Sequence, residues 1–315
     1  MQLKRINIGG VETPNNVFVA PLAGYTNSPF RVLCQSLGAG LTYTEMVSAK
    51  GLCYGSENTS ELLKMTDGYS GIKAVQLFGS EPDFMRRAAT DREIEPFELI
   101  DINMGCPVPK IFKNGEGSAL LADIKKAQSL VKAAKASKKA VTVKFRIGIT
   151  EEKLVTRDFA VAMEDAGTDL ITIHGRTRDK IYSGDVNYEQ IAKAKAAVKI
   201  PVIANGGVFS QQDADRLINE TGADGVMLAR GVLYNPFLIA ELTNTPVADK
   251  KRLILKQIDD CYDNYDYRYS TVTLRKMLAM YLKGAHNATK LRNALIACTS
   301  REQIVDLLFS DDYTI

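Results

Sequence analysis

Cys106 stands in the run Leu99-Ile100-Asp101-Ile102-Asn103-Met104-Gly105-Cys106-Pro107, where an apolar stretch passes abruptly into a turn. Leu99, Ile100 and Ile102 read as a strand covered on both faces. Gly105 is expected to take a φ that other residues avoid, and Pro107 stops the strand. A thiol on such a turn can give up a proton or act as a nucleophile, and Asn103 can hydrogen-bond a planar ligand. Taken alone, Cys106 also reads as a small buried cysteine at a strand end.

The elements that must position this thiol repeat along the chain. Apolar segments at 17–20, 41–46, 72–78, 99–103, 141–146, 170–174, 201–204 and 225–228 read as strands. Amphipathic stretches between them read as helices, with starts at Asn27-Ser28-Pro29 and Ser80-Glu81-Pro82 and bodies at 123–137, 156–166, 188–198, 210–219 and 236–242. Eight such alternations predict a (β/α)8 TIM barrel, an α/β fold, closed at its base by a hairpin over 6–11. A doubly wound sheet is disfavoured, because Pro21-Leu22-Ala23-Gly24-Tyr25 follows the first strand where a GxGxxG turn would be needed.

In such a barrel the working groups lie at the C-terminal strand ends. These carry Pro21-Leu22-Ala23, Glu45, Gln76, Asn103 with Cys106, Lys144 with Arg146, His174 with Arg176, Asn205-Gly206-Gly207 and Ala229-Arg230-Gly231. The last two turns can offer backbone N–H groups to a phosphate, with Arg230 adding a bidentate contact. Gln76 offers a donor and an acceptor to a heteroaromatic ring. Lys144 offers positive charge to a reduced flavin or an enolate, with Glu45 as the obvious rim carboxylate to pair it. His174 reads equally as a core histidine or a phosphate contact. Arg146, two residues beyond Lys144, should face the same way and reach the substrate.

From about residue 249 the alternation stops, and apolar residues at helical spacing predict an all-helical bundle: Leu253, Ile254, Ile258 and Cys261; Leu274, Met277, Leu278 and Tyr281; Leu291, Leu295 and Ile296; Ile304, Leu307 and Leu308. We expect a catalytic domain over 1–245 and a small helical domain over 246–315. Residues 250–315 carry eleven Lys/Arg against eight Asp/Glu, so the whole net charge of +3 resides there. Tyr262, Tyr265, Tyr267 and Tyr269 interleave with it, and Lys276, Lys283, Lys290 and Arg292 should face solvent. Five cysteines without CxxC argue against a disulfide framework and a zinc site. No apolar run is long enough to span a bilayer and no leader pattern opens the chain, so a cytoplasmic location is expected. We expect no metal, no membrane association and no obligate protein partner.

In family order and spacing, several motifs resemble the tRNA-dihydrouridine synthase family of flavoproteins. They are Ala20-Pro21-Leu22-Ala23-Gly24 with Thr26, Val75-Gln76, Asp101 to Pro107, Gly117-Ser118-Ala119-Leu120-Leu121, Lys144-Phe145-Arg146, Ile173-His174-Gly175-Arg176-Thr177, Pro201 to Gly206, and Met227-Leu228-Ala229-Arg230-Gly231. The resemblance covers the whole barrel; the helical tail matches on architecture alone. It implies FMN held by the backbone of Pro21, Leu22 and Ala23, with Gln76 and Lys144 at the ring. His174, Asn205, Gly206, Gly207, Ala229 and Arg230 would hold the ribityl phosphate. It further implies Cys106 as general acid, Asn103 and Tyr182 as uracil contacts, NADPH as reductant and tRNA as substrate. Leu22, Gly207 and Ala229 depart from the common Met, Asp and Gly, which touches side-chain roles and leaves the backbone contacts. The alternative from the residues is an FMN-dependent TIM-barrel oxidoreductase of a small molecule, dihydroorotate- or ene-reductase-like, which would not need a basic tail.

Overall fold

The computed structural model describes residues 1–284 and 287–309. Strands β1 (Ile6–Ile8) and β2 (Val11–Thr13) form an antiparallel hairpin. Then β3 (Val17–Val19), β4 (Leu41–Ser48), β5 (Lys73–Phe78), β6 (Leu99–Met104), β7 (Ala140–Arg146), β8 (Leu170–His174), β9 (Val202–Asn205) and β10 (Gly225–Leu228) close into a barrel in sequence order, with β10 pairing parallel to β3. The expected (β/α)8 barrel is therefore present.

Strand periodicity explains how this barrel presents a site. Successive side chains alternate between the interior and the helix-covered face. One set (Val75, Leu77, Ile100, Ile102, Val141, Val143, Ile171, Ile173, Val226, Leu228) joins the core beneath the helices. The other set points inward and changes character along the barrel axis. At the N-terminal end Phe18, Leu41, Ala74, Leu99, Ala140, Leu170, Ile203 and Met227 pack with Ile6 and Ile8 of the hairpin, which plugs the base as expected. Two residues further along most strands come Tyr43, Gln76, Asp101, Thr142, Thr172 and Asn205, all buried. Leaving one buried polar group unpaired costs about 1–3 kcal/mol, so a buried polar layer needs either internal partners or a ligand.

The helices start where the sequence caps them. Asn27 accepts from the Phe30 N–H at 3.1 Å to open Ser28–Ser36, and Asp123, Asn187 and Ser210 cap their helices likewise. Three short helices, Ala49–Cys53, Glu57–Ser60 and Pro109–Lys113, go beyond the sequence reading because one turn is too short to show a period.

Beyond the barrel lie helices Lys250–Asn264, Tyr267–Tyr281, Ala288–Ala297 and Arg301–Leu308. Ile254, Ile258, Cys261, Leu274, Met277, Leu278, Leu295, Ile304 and Leu308 are buried and join the same core as the barrel helices. Ile296 departs from expectation: it is 59% exposed, because the buried stripe of its helix runs through Leu291 and Leu295. Among the described residues no helix is long and apolar enough to cross a membrane, and no group of three or more His, Cys, Asp or Glu could hold a metal ion.

Candidate active site

The Cys106 turn begins where β6 ends and is held from three sides. Asn103 Oδ1 accepts from the N–H groups of Gly105 at 3.1 Å and Cys106 at 2.9 Å. The Cys106 carbonyl accepts from Ser118 N at 3.1 Å and Ser118 Oγ at 2.8 Å. Arg146 Nε donates to the Gly105 carbonyl at 2.9 Å. Gly117, at φ +58°, lies directly against the turn: a Cβ there would sit 3.0 Å from Cys106 Cβ. Gly105 itself has no positive φ, contrary to the sequence expectation. It is needed for close approach instead, since a Cβ would come within 3.3 Å of the Phe145 backbone. Burial pushes the partly exposed Cys106 thiol above its ordinary range, so it stays protonated at neutral pH.

Asn103 and Gln76 are engaged with one another. Asn103 Nδ2 donates to Gln76 Oε1 at 2.8 Å, and Gln76 Nε2 donates to Asp101 Oδ2 at 2.6 Å. The other carboxylate oxygen of Asp101 accepts from Thr142 Oγ1 at 2.6 Å. Each amide nitrogen keeps one further N–H and Gln76 Oε1 one further lone pair, whereas Asn103 Oδ1 has both of its lone pairs taken by the turn.

Cations gather on the next strands. The register sets Lys144 beside Asn103, and Arg146 beside His174, which is beside Asn205. No described carboxylate forms an ion pair with Lys144. Glu45, the partner suggested by the sequence, instead accepts from the Gly24 N–H, because β4 carries an irregularity between Tyr43 and Met46 that redirects it. Desolvation and then Arg146 pull the Lys144 pKa down to about 8, against the opposing field of Asp101. Desolvation, followed by Arg146, Lys144, Arg176 and Arg230, holds His174 well below its usual range and therefore neutral.

Arg146 is a brace. Besides Gly105 it donates from Nη1 to the carbonyls of Thr177 at 3.1 Å and Ile181 at 2.9 Å, tying the loops after β6 and β8 together. Asn205 donates its amide to the Met227 carbonyl at 2.7 Å, which fixes β9 against β10. Arg146 thus spends Nε and Nη1 within the protein and keeps Nη2, while the Asn205 side chain braces the strands beside the backbone turn that follows it. Gly206 and Gly207 have φ of +127° and +73°, and a Cβ on Gly206 would meet the His174 ring at 3.1 Å. Of the first turn, Pro21 lacks an N–H and the Leu22 N–H is taken by Thr26 Oγ1 at 3.0 Å; exposed Ala23 keeps its own.

Around the mouth runs a rim of rings and cations that the sequence reading largely missed. Arg230 lies 4.7 Å from the Tyr182 ring and 5.9 Å from that of Phe209, which stacks on Tyr234 at 5.9 Å. Tail residues complete it: Lys276 sits 4.0 Å from the Tyr25 ring and Lys283 3.6 Å from Tyr234. Ala229 is the residue just before Arg230 at the end of β10. The four tail tyrosines are not a common RNA-facing strip, since Tyr265 is partly buried and accepts from the Ser28 N–H at 3.4 Å.

Fold and mouth together define a TIM-barrel enzyme whose chemistry sits at the C-terminal strand ends. A model of the family described as "Dihydrouridine synthase (Dus)" matches residues 18–311. The tRNA-dihydrouridine synthase B of Pasteurella multocida is 36% identical over 96% of this chain and 94% of its own length. A probable tRNA-dihydrouridine synthase 1 of Synechocystis is 37% identical over 97% of this chain and 88% of its own. Among solved structures, an old yellow enzyme homologue from Zymomonas mobilis shares the barrel at a TM-score of 0.56 and 14% identity, covering 78% of this chain and 93% of its own. The chain belongs to the dihydrouridine synthase family.

Proposed function

We propose that the protein is a flavin-dependent oxidoreductase that reduces the C5=C6 bond of uridines in tRNA, with FMN as cofactor and NADPH as reductant. The observation that carries this reading is the pairing, in one mouth, of a protonated thiol on a rigid turn with cations that form no ion pair with a carboxylate among the described residues. The donor set suits FMN. Lys144, Arg176 and Arg230 concentrate positive charge around neutral His174, beside a turn whose glycines leave no room for side chains. An anion such as a phosphate relieves that mutual repulsion.

In this reading Pro21, Leu22 and Ala23 hold the cofactor through their backbone, and Gln76 and Lys144 meet its ring. His174, Asn205, Gly206, Gly207, Ala229 and Arg230 surround its phosphate end. Bound there in its reduced state, the flavin supplies hydride chemistry. Reduction of uridine adds a hydride at C6 and a proton at C5, and Cys106 supplies that proton and takes one back from solvent. Lys144 would hold the ring and offer it positive charge, which would favour its anionic reduced state. Arg146 keeps the Cys106 turn and the Tyr182 loop at a fixed separation, leaving Tyr182, 47% exposed, to meet the extruded base. Residues 1–245 form the catalytic domain and 246–315 the tRNA-binding one. A cytoplasmic location accords with this substrate.

The test is direct. Unmodified tRNA incubated with the purified protein, FMN and NADPH should gain two hydrogens at defined uridines, read by mass spectrometry of the digested RNA. Reduction of free uridine or dihydroorotate-type substrates with tRNA untouched would favour the small-molecule alternative and overturn this one.

A further inference from the structure

Asp101 lies outside the residues assigned above, yet it sits at the origin of the hydrogen bonds that end on the Cys106 turn. It is buried, faces the barrel interior and accepts two bonds of 2.6 Å, from Gln76 and Thr142. An ionised carboxylate can only accept, so Gln76 must turn its NH2 toward Asp101 and its oxygen toward Asn103. Asn103 must then turn its NH2 toward Gln76 and its oxygen outward. That oxygen meets two groups that can only donate, the N–H of Gly105 and of Cys106. The chain thus begins on an obligate acceptor and ends on obligate donors, and one orientation of the two intervening amides satisfies both ends. Reversing either amide would set oxygen against oxygen or N–H against N–H in a buried place.

We propose that Asp101 is a positioning residue: by fixing the orientation of the Gln76 and Asn103 amides in series, it sets the turn that carries the Cys106 thiol. Its catalytic meaning rests on the reading of Cys106 as the proton donor; the relay itself does not. Gln76 is thereby held with its remaining N–H and lone pair in fixed directions, at the place assigned to the flavin ring. Asp101 touches no reacting atom in this account and acts only through its neighbours.

The relay can be inverted by design. Asn103→Asp makes position 103 an obligate acceptor on both sides. At an alkaline pH that keeps both carboxylates ionised, since burial already raises Asp101 to about 6 and a second carboxylate raises it further, Gln76 must then turn its NH2 toward 103 and its oxygen toward the Asp101 carboxylate, which repels it. Adding Asp101→Asn restores a donor there, and every bond is made again with the amide reversed. Hydrogen exchange of the Gly105 and Cys106 amides in the FMN-loaded protein reads the turn, and alkylation of Cys106, followed by peptide mass, reads the thiol. Exchange should quicken roughly tenfold in Asn103→Asp, the loss of about one charge-assisted hydrogen bond. It should return to within about threefold of the parent in the double variant. Both variants carry the same new carboxylate beside the thiol, so its direct field cancels in their comparison.

A double variant no better protected than Asn103→Asp overturns the relay. Should Asp101→Asn fail to fold in either background, Gln76→Met cuts the chain in the middle at similar volume. It must quicken the same two amides, and unchanged exchange overturns the proposal equally. Turnover on tRNA separates the two readings. Restored protection with restored turnover supports both. Restored protection with turnover indifferent to the state of the turn supports the relay and removes Cys106 from the chemistry.

Discussion

The Cys106 turn and the tail cations Lys276 and Lys283 face the same barrel mouth but are held by different physics. The turn is fixed by donors from Ser118 and Arg146 and by the Asn103 oxygen that accepts from it, all three buried, with Asn103 and Arg146 set by strand pairing. Lys276 and Lys283 are exposed; Lys283 rests on the Tyr234 ring, and Lys276 on the Tyr25 ring with one weak bond of 3.4 Å to the Gly24 carbonyl. The first arrangement holds a reacting group to a fraction of an ångström. The second leaves long flexible side chains free to follow a polyanion, at a worth of about 0.5–1 kcal/mol for each exposed cation–ring contact. Substitutions should therefore have large, all-or-none effects at the turn and small, graded, salt-dependent ones on the tail.

The largest effect is expected at the thiol. Cys106→Ala should lower dihydrouridine formation by about a hundred- to ten-thousand-fold, the range for losing a positioned proton donor. Flavin content and oxidation of NADPH by oxygen should persist, since neither needs a proton at C5. Single-turnover kinetics on tRNA checks this, and near-parental turnover would place the acid elsewhere.

Arg230→Ala tests the phosphate end, where one guanidinium is held between Tyr182 and Phe209. Losing a charge-assisted contact worth about 1.5–3 kcal/mol should weaken flavin binding about ten- to a hundredfold. Flavin absorbance after dialysis reads the loss. Full occupancy would assign the phosphate to the backbone of the Gly206-Gly207 turn.

Lys144 gives a pH dependence whose sign is fixed. With its pKa pulled down to about 8, the side chain is charged below that value and neutral above it. Turnover limited by this cation should be flat below pH ~8 and fall about tenfold per unit beyond it. Lys144→Arg, which cannot lose its charge there, should move that limb upward; a limb that stays near pH ~8 would belong to a group other than Lys144, and not to Cys106, whose thiol is raised above its ordinary range. The same shift bears on stability. Between about 8 and the ordinary lysine value of 10.5 the unfolded chain binds the extra proton, so this group's contribution to stability rises with pH across that window. Below it the folded protein bears the full cost of burying the charge, and Lys144→Met should raise the melting temperature at pH 7.

Much of this mouth is legible in the sequence because strand periodicity is simple. Once residues 99–103 read as a strand, Asn103 must face the same way as Asp101 and Leu99, and Lys144 the same way as Thr142. The same rule, carried one step inward, would have flagged Asp101 and Thr142. Both lie one step below the strand ends, where position alone marks barrel filling and not support for the groups above. The bracing bonds of Arg146 and Asn205 are not legible, since their partners lie on loops and strands remote in sequence: Thr177, Ile181 and Met227. Nor is the docking of Tyr265 against Ser28, or the turn of Glu45 toward Gly24, which depends on a strand irregularity that local pattern does not encode.

The smallest and most condition-dependent effect belongs to the tail. Lys283 and Lys290 are exposed, on the stretch that carries the chain's net charge, and Lys283 lies over a ring at the mouth. Arg292 is less available, since its Nε donates to the Ala279 carbonyl at 3.1 Å. Reversing the two lysines together, Lys283→Glu with Lys290→Glu, should weaken tRNA binding and flatten its salt dependence. The slope of log affinity against log salt should fall by somewhat under one unit for each phosphate contact removed. Flavin content and NADPH oxidation should not move, because both belong to the barrel. An unchanged slope would mean that these cations touch no phosphate. The polyanion would then be gripped from the mouth alone, by Arg230 and Arg176 with the rings beside them, and the contrast between a rigid turn and an adaptable tail would have to be redrawn within the barrel rim.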